Sequence, residues 1–331
     1  MKREIPFDIQ SIFNKHSKEE FEALCLKTFR YQYENIEVYR AFTDALQVNV
    51  NDVQTIEDIP FMPIEFFKNF DVLAEGHSSE AVFMSSGTTG MERSKHFVYD
   101  LNIYKESFSS AFQQFYGNIE DYVVLALLPS YIENGDSSLV FMAEHLMNTS
   151  KNSDSGFYLN DYTTLIKKLN ELNNSKKKIL LLGVTYALLD LIEIQTFDFP
   201  SLIIMETGGM KGRRKELIRE ELHKILCAGF NVKSIHSEYG MTELLSQAYS
   251  KGDGLFSCPP WMKILIRDIN DPLSYMPQGK SGAINIIDLA NIHSVSFLTT
   301  KDLGKITDQQ QFSILGRFDN SDIRGCNLLV I

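Results

Sequence analysis

Lys178-Ile179-Leu180-Leu181-Leu182-Gly183 runs into a helical pattern over residues 185–194, and Ser201-Leu202-Ile203-Ile204-Met205-Glu206 follows it. Near-continuous apolar runs of this length read as strands buried on both faces, since a half-exposed strand would alternate apolar with polar. Strand, helix and strand in that order predict a parallel crossover. Outward from this unit, Val123–Leu128 and Val232–Ser237 add strands, and helical patterns at about 101–116, 136–147, 161–173 and 212–228 fill the gaps. The fold class is therefore α/β with a mostly parallel sheet. After Thr242 the pattern changes to short strands, Met262–Arg267, Gly282–Ile287, Val295–Thr299 and Phe312–Leu315, separated by Gly, Pro and Asp turns. These predict a small, mainly antiparallel β module. At the other end residues 17–48 look helical, with Ser17 and Glu20 spaced as a capping box. Pro60 and Pro63 then forbid a regular helix across Ile59–Phe67. The chain divides into a helical region packing on the core (1–80), an α/β core (81–250) and a β-rich module (251–331).

With 331 residues and 44% hydrophobic content, the chain can bury the large core that such a sheet demands. A net charge of −11 argues against nucleic acid or an anionic membrane surface as partner. No apolar run has the length of a signal peptide or a membrane span. Cys25, Cys227, Cys258 and Cys326 are scattered with no Cys-x-x-Cys pair, which suits reduced thiols in the cytoplasm and offers no zinc site.

The chemistry concentrates in a few clusters. In Met84-Ser85-Ser86-Gly87-Thr88-Thr89-Gly90-Met91-Glu92-Arg93-Ser94-Lys95, two glycines open a loop bearing four hydroxyls. Backbone N–H groups and hydroxyls converging in this way suit a phosphate chain, although a plain Ser/Thr/Gly surface loop has the same composition. The Gly-Lys-Ser/Thr ending of a P-loop and the Gly-x-Gly-x-x-Gly fingerprint are both missing. Glu206-Thr207-Gly208-Gly209 closes one buried strand, and its glycines let a flat ligand approach the backbone, as would any tight strand-to-helix turn. Glu238-Tyr239-Gly240-Met241-Thr242-Glu243 follows another strand, at the end where open α/β sheets bind ligands. There Tyr239 suits stacking on a base, Thr242 a phosphate and Glu243 a Mg²⁺ ion; a helix start capped by Thr242 fits equally. Asp302, in Thr299-Thr300-Lys301-Asp302-Leu303-Gly304, suits ribose hydroxyls or a turn. Arg317 offers a planar donor fork for ribose or phosphate, or for an ion pair with Asp319 or Asp322. His96, His145 and His236 read as structural histidines.

Taken in order, Ser85–Gly90, Tyr239–Glu243, Thr300–Gly304 and Gly316–Arg317 resemble the core motifs of adenylate-forming enzymes, the superfamily of acyl-CoA synthetases. Ile59–Lys68, Leu128-Pro129-Ser130-Tyr131 and the ending Asp322-Ile323-Arg324-Gly325-Cys326 narrow the likeness to the bacterial acyl-protein synthetases, with the phenylacetate-CoA ligases as neighbours. The likeness runs from about residue 55 to the end. It implies an adenylate-forming large domain in which Ser85, Ser86, Gly87, Thr88, Thr89 and Gly90 wrap the ATP phosphates. Gly208 and Gly209 would lie near the adenine with Tyr239 stacked on it, and Gly240 and Met241 would join the nucleotide site, with Thr242 at the α-phosphate, Glu243 on Mg²⁺, Asp302 on the ribose, and Arg317 on ribose or phosphate.

The departures matter as much. Glu92 and Arg93 stand where the family loop carries a proline and a lysine, so the lysine's role would fall to Arg93 or Lys95. The small C-terminal domain of full-length relatives, which supplies a lysine and the coenzyme A tunnel, is expected to be absent. The resemblance implies instead that Cys326 accepts the acyl group as a thioester and passes it to a reductase or carrier protein; an inert cysteine before Leu328–Ile331 is the plain alternative. Ser130 and Tyr131 are the expected acyl-side residues. The implied activity is ATP-dependent activation of a carboxylic acid, a fatty acid foremost. An arylacetate-type ligase using coenzyme A, or a non-catalytic nucleotide- or acyl-binding module, are the alternatives.

Overall fold

The computed structural model describes residues 4–86, 92–128, 136–209, 214 and 217–318. Five strands form the parallel half of one sheet: β4 (Tyr122–Leu127), β5 (Gly156–Phe157), β6 (Lys178–Val184), β7 (Ile203–Thr207) and β8 (His236–Tyr239). They lie in the order β5-β4-β6-β7-β8, and every pair is parallel. All of β4, and all of β6 after Lys178, is buried. Such positions are apolar because helices cover both faces, and each filled Leu or Val site contributes about 1.5–3 kcal/mol.

The covering helices are α4 (Leu101–Tyr116), α5 (Ser138–Ser150), α6 (Tyr162–Leu172), α7 (Thr185–Ile194) and α8 (Arg219–Phe230). Upstream, α1 (Lys18–Asn35) starts at the expected capping box: Ser17 Oγ accepts from Glu20 N at 3.2 Å and Glu20 Oε2 accepts from Ser17 N at 2.8 Å. The helical stretch expected over 17–48 is two helices, since Ile36 leaves helical geometry (φ −118°, ψ 103°) before α2 (Glu37–Ala45). Gln32, buried on α1, donates to Asn291 O, Ile292 O and Ser296 Oγ and accepts from Ser296 N, all at 2.9–3.1 Å. These bonds lock the N-terminal helices onto the far end of the chain.

The C-terminal strands do not stand apart from the core. β9 (Ala248–Ser250), β10 (Leu255–Ser257), β11 (Met262–Arg267), β12 (Ser281–Asp288), β13 (Phe297–Ile306) and β14 (Phe312–Arg317) extend the same sheet antiparallel, in the order β8-β9-β10-β14-β13-β12-β11. The two-residue β1 (Met62–Pro63) joins β13 in parallel. A separate hairpin, β2 (Ala81–Met84) with β3 (Lys95–Val98), carries the Ser/Thr/Gly loop.

Two sequence expectations shift. The strand expected at 232–237 begins at His236: Asn231 turns left-handed (φ 51°) and Val232 N bonds Cys227 O, so the chain after α8 leaves the helix irregularly before it pairs with β7. Asp302 lies inside β13, not in a turn after it, because β13 runs to Ile306 where it finds both β12 and β14 as partners.

Candidate functional site

The carboxyl ends of β6, β7 and β8 meet in a buried polar network centred on Glu206. Its Oε1 accepts from Ser237 Oγ (2.7 Å) and from Arg219 Nη1, and its Oε2 accepts from Thr185 Oγ1 (3.1 Å). His223 Nε2 lies 3.5 Å from Oε1, and Arg219 Nη1 also donates to Ser237 Oγ at 3.1 Å. Burial works to raise the Glu206 pKa, but the His223 hydrogen bond, the Arg219 charge and the Ser237 hydroxyl outweigh it and hold the carboxyl below its ordinary value. The Arg219 guanidinium lies over the Phe256 ring, 5.2 Å from its centroid. Sequence reasoning assigned no role to Arg219, His223 or Thr185; their partners lie on other elements, and no local spacing announces them.

Tyr239, at the end of β8, is buried between Phe256 and Phe312, with ring centroids 6.0 and 5.6 Å away. Its hydroxyl donates to Asp302 Oδ2 at 2.8 Å, and Arg317 Nε donates to Asp302 Oδ1 at 2.9 Å. Asp302 and Arg317 are direct partners across β13 and β14. Thus three residues singled out far apart in the sequence form one cluster, in which Asp302 is buried and the Arg317 side chain is 73% exposed. Burial, with the Asp302 carboxylate adding to it, raises the Tyr239 phenol well above its ordinary pKa, so the hydroxyl remains a donor.

A Cβ on Gly240 would come within 2.3 Å of Glu238 Oε1, so a larger residue there would have to push that carboxyl aside. Glu238 in turn accepts from Thr207 Oγ1 at 2.5 Å, and burial with the nearby Glu206 charge pushes its pKa up to about 7. Gly208 adopts φ 66°, the left-handed region that suits glycine, and a Cβ on Gly209 would meet nothing within 4 Å. This open backbone stands at the end of β7, beside the Tyr239 strand.

The hairpin approaches from the other side. Ser85 N donates to Ser94 O at 3.0 Å and Ser94 N to Ser85 Oγ at 2.9 Å, extending the β2–β3 ladder toward the loop. Arg93 folds back, with Nε donating to Ser85 O at 2.5 Å and Nη2 to Met84 O at 3.4 Å, while Lys95 and Ser86 are exposed. The hairpin touches the Met241–Glu243 turn directly, through His96 on β3, and the Ser94 hydroxyl works to lower the Glu243 pKa. No helix starts at Thr242; residues 242 and 243 are a turn leading to β9. His96 Nδ1 lies 2.8 Å from Thr242 O, and Asn291 Nδ2 donates to Glu243 O at 2.8 Å. Burial lowers the His96 pKa to about 4, so the neutral ring donates through Nδ1.

Glu243 is 8% exposed, and burial raises its pKa against the lowering effects of Ser94, Arg317 and Lys68. A buried carboxylate of this kind fits a divalent cation, which would hold it ionised. Among the described residues no three His, Cys, Asp or Glu side chains gather as a metal cage. One carboxylate is the usual protein share for Mg²⁺ carried in on phosphates. Gly87, Thr88, Thr89, Gly90, Ser130, Tyr131 and Cys326 lie outside the described residues.

Solved structures share this architecture. ATP-bound MatB from Rhodopseudomonas palustris superposes with a TM-score of 0.54 at 19% identity, covering 72% of this chain and 48% of its own. A chimera of that enzyme, RpMatB-BxBclM B3, also ATP-bound, gives 0.54 at 19%, covering 74% and 49%. 2-Hydroxyisobutyryl-CoA ligase with 2-HIB-AMP and CoA in the thioesterification state gives 0.68 at 14%, covering 97% and 76%. The chain thus spans about half the length of the two MatB structures. At these identities the likeness shows the fold. No curated protein matches the sequence. The family profile described as acyl-protein synthetase, LuxE, matches residues 6–331. The chain belongs to the LuxE acyl-protein synthetase family.

Proposed function

We propose that this protein uses ATP and Mg²⁺ to convert a carboxylic acid, a fatty acid foremost, into an acyl-adenylate, and then transfers the acyl group to the thiol of Cys326. The observation that carries the reading is the meeting of two groups of residues around the ends of β7 and β8. Tyr239, Asp302 and Arg317 form one, and the Thr242–Glu243 turn held by His96 of the phosphate-loop hairpin forms the other. Tyr239 and the Gly208-Gly209 backbone flank the adenine, Asp302 accepts from the ribose hydroxyls, and Ser85–Gly90 with Thr242 hold the phosphates. Arg317 is exposed enough to reach a ribose or phosphate oxygen.

In the first step the acid's carboxylate oxygen attacks the α-phosphorus and pyrophosphate leaves with its bonding electrons. Two anions must meet, so the site's task is to neutralise charge and align the partners. Glu243 would hold Mg²⁺, which would supply positive charge to the phosphates, and the guanidinium of Arg317 adds to it. In the second step the Cys326 thiolate attacks the acyl carbonyl, forming a thioester and releasing AMP. The acyl group then passes to a reductase or carrier protein. Ser130 and Tyr131 border the acyl chain, and the reaction belongs in the cytoplasm, where thiols stay reduced.

A second reading follows from the coenzyme A-bound ligase that shares the fold: coenzyme A, not Cys326, would take the acyl group. Intact-mass measurement after incubation with ATP, Mg²⁺ and a panel of fatty and aryl acids separates the two. A hydroxylamine-labile gain of one acyl group, lost in Cys326→Ser, is expected. No gain, with AMP formed only when coenzyme A is added, would replace the thioester reading by the coenzyme A one.

A further inference from the structure

Three buried polar atoms beneath the Thr242–Glu243 turn have no protein partner: His96 Nε2, Asn291 Oδ1 and His293 Nδ1. Their residues are 1%, 1% and 9% exposed, and all three line one cavity of about 10 Å³, measured as space open to the centre of a water molecule. Native interiors rarely leave such atoms unsatisfied, and here the residues of three of them border one cavity.

Hydrogen-bond accounting fixes what they need. Asn291 Nδ2 faces two carbonyls, Glu243 O at 2.8 Å and Val295 O at 3.4 Å, so the amide cannot be turned over and Oδ1 must accept. His96 Nδ1 faces Thr242 O at 2.8 Å and carries the hydrogen, so Nε2 must accept as well. His293 Nδ1 has no partner and donates in the tautomer that places the hydrogen there. Two acceptors and one donor call for a ligand with two hydrogens and a lone pair, in a volume that admits one small molecule. Water meets all three conditions.

We propose that this cavity is a built site for one water molecule, and that through it His96 and Asn291 act as positioning residues for the Glu243 carboxylate. The water donates to His96 Nε2 and Asn291 Oδ1 and accepts from His293 Nδ1–H. It thereby braces the two side chains that grip the carbonyls of Thr242 and Glu243. Rigid carbonyls fix the direction of the Glu243 side chain toward the phosphates. The positioning half of this inference rests on the reading of Glu243 as the Mg²⁺ ligand; the water site does not.

A crystal structure of the protein at a resolution that orders internal solvent tests the site itself. A peak within about 2.7–3.2 Å of both His96 Nε2 and Asn291 Oδ1 is expected. A dry cavity, or a peak present only in crystals grown from ammonium salts, would overturn it. Kinetics test the positioning. His96→Leu is expected to raise the Mg²⁺ concentration for half-maximal pyrophosphate exchange about tenfold, with the saturated rate within about twofold. His96→Asn keeps a donor where Nδ1 stood and is expected to recover most of that loss. If neither substitution moves the Mg²⁺ dependence, the positioning role is wrong, whatever the crystal shows. Absence of exchange in the wild-type protein would instead strike the Glu243 reading and leave the water site to the crystal.

Discussion

Arg219→Met leaves the Glu206 carboxylate buried, with its guanidinium partner gone. Methionine keeps much of the packing over Phe256, so the change is chiefly one of charge. Removing one partner of a buried ion pair costs about 3–5 kcal/mol, but the Arg219 side chain is 31% exposed and water can take up part of its place. A second limit comes from titration. The stranded carboxyl can take up a proton, and from an ordinary pKa near 4.3 that costs about 3.7 kcal/mol at pH 7 and about 1 kcal/mol at pH 5. The expected loss of stability is therefore about 2–3 kcal/mol at pH 7 and smaller at pH 5, where taking up the proton costs less. Urea unfolding followed by circular dichroism, wild type against variant at both pH values, measures it. The double variant Arg219→Met/Glu206→Leu removes the stranded charge and is expected to regain most of the stability at pH 7. A loss below about 1 kcal/mol at pH 7, or an equal loss at both pH values, would refute the idea that Glu206 is ionised and dependent on Arg219.

Glu238 gives the opposite pH signature. Its folded pKa, raised from 4.5 to about 7, contributes stability that is fully present below about pH 4.5 and lost as pH rises through 7. Glu238→Gln should lack that decline in urea midpoint, and parallel profiles for the two proteins would contradict it. Tyr239→Phe removes one hydrogen bond to Asp302 and should cost about 1 kcal/mol of stability with little change in the KM for ATP. Tyr239→Ala should raise that KM about tenfold or more through lost stacking, and equal effects of the two substitutions would rule stacking out. Gly240→Ala places a Cβ 2.3 Å from Glu238 Oε1 and should destabilise by about 1–3 kcal/mol; an unchanged urea midpoint would show that the carboxylate swings away freely.

The parallel half of the fold was legible because its signal is local. Helices α4 and α7 span the expected 101–116 and 185–194, and the Ser17–Glu20 capping box forms as read. Where a strand's extent depends on its partners, the sequence is mute. His236 starts β8 only because Met205 and Glu206 pair there, and β13 runs through Asp302 because Arg317 stands opposite. The same holds for the site. Tyr239, Asp302, Arg317 and Glu243 declared themselves by residue type after a strand. Arg219 and Asn291 act only by reaching across elements, and nothing in their own neighbourhoods distinguishes them from surface or core residues; His96 read as a structural histidine, and its reach to Thr242 O shows only in the fold.

The central claim is that the residues around Tyr239 and Glu243 activate a carboxylic acid with ATP. Acid-dependent exchange of labelled pyrophosphate into ATP tests that step without any acyl acceptor. The account predicts exchange that requires both Mg²⁺ and an acid, persists in Cys326→Ser, and falls by about 10²-fold or more in Glu243→Gln. Exchange that is absent with every fatty and aryl acid, or that survives Glu243→Gln undiminished, would contradict it.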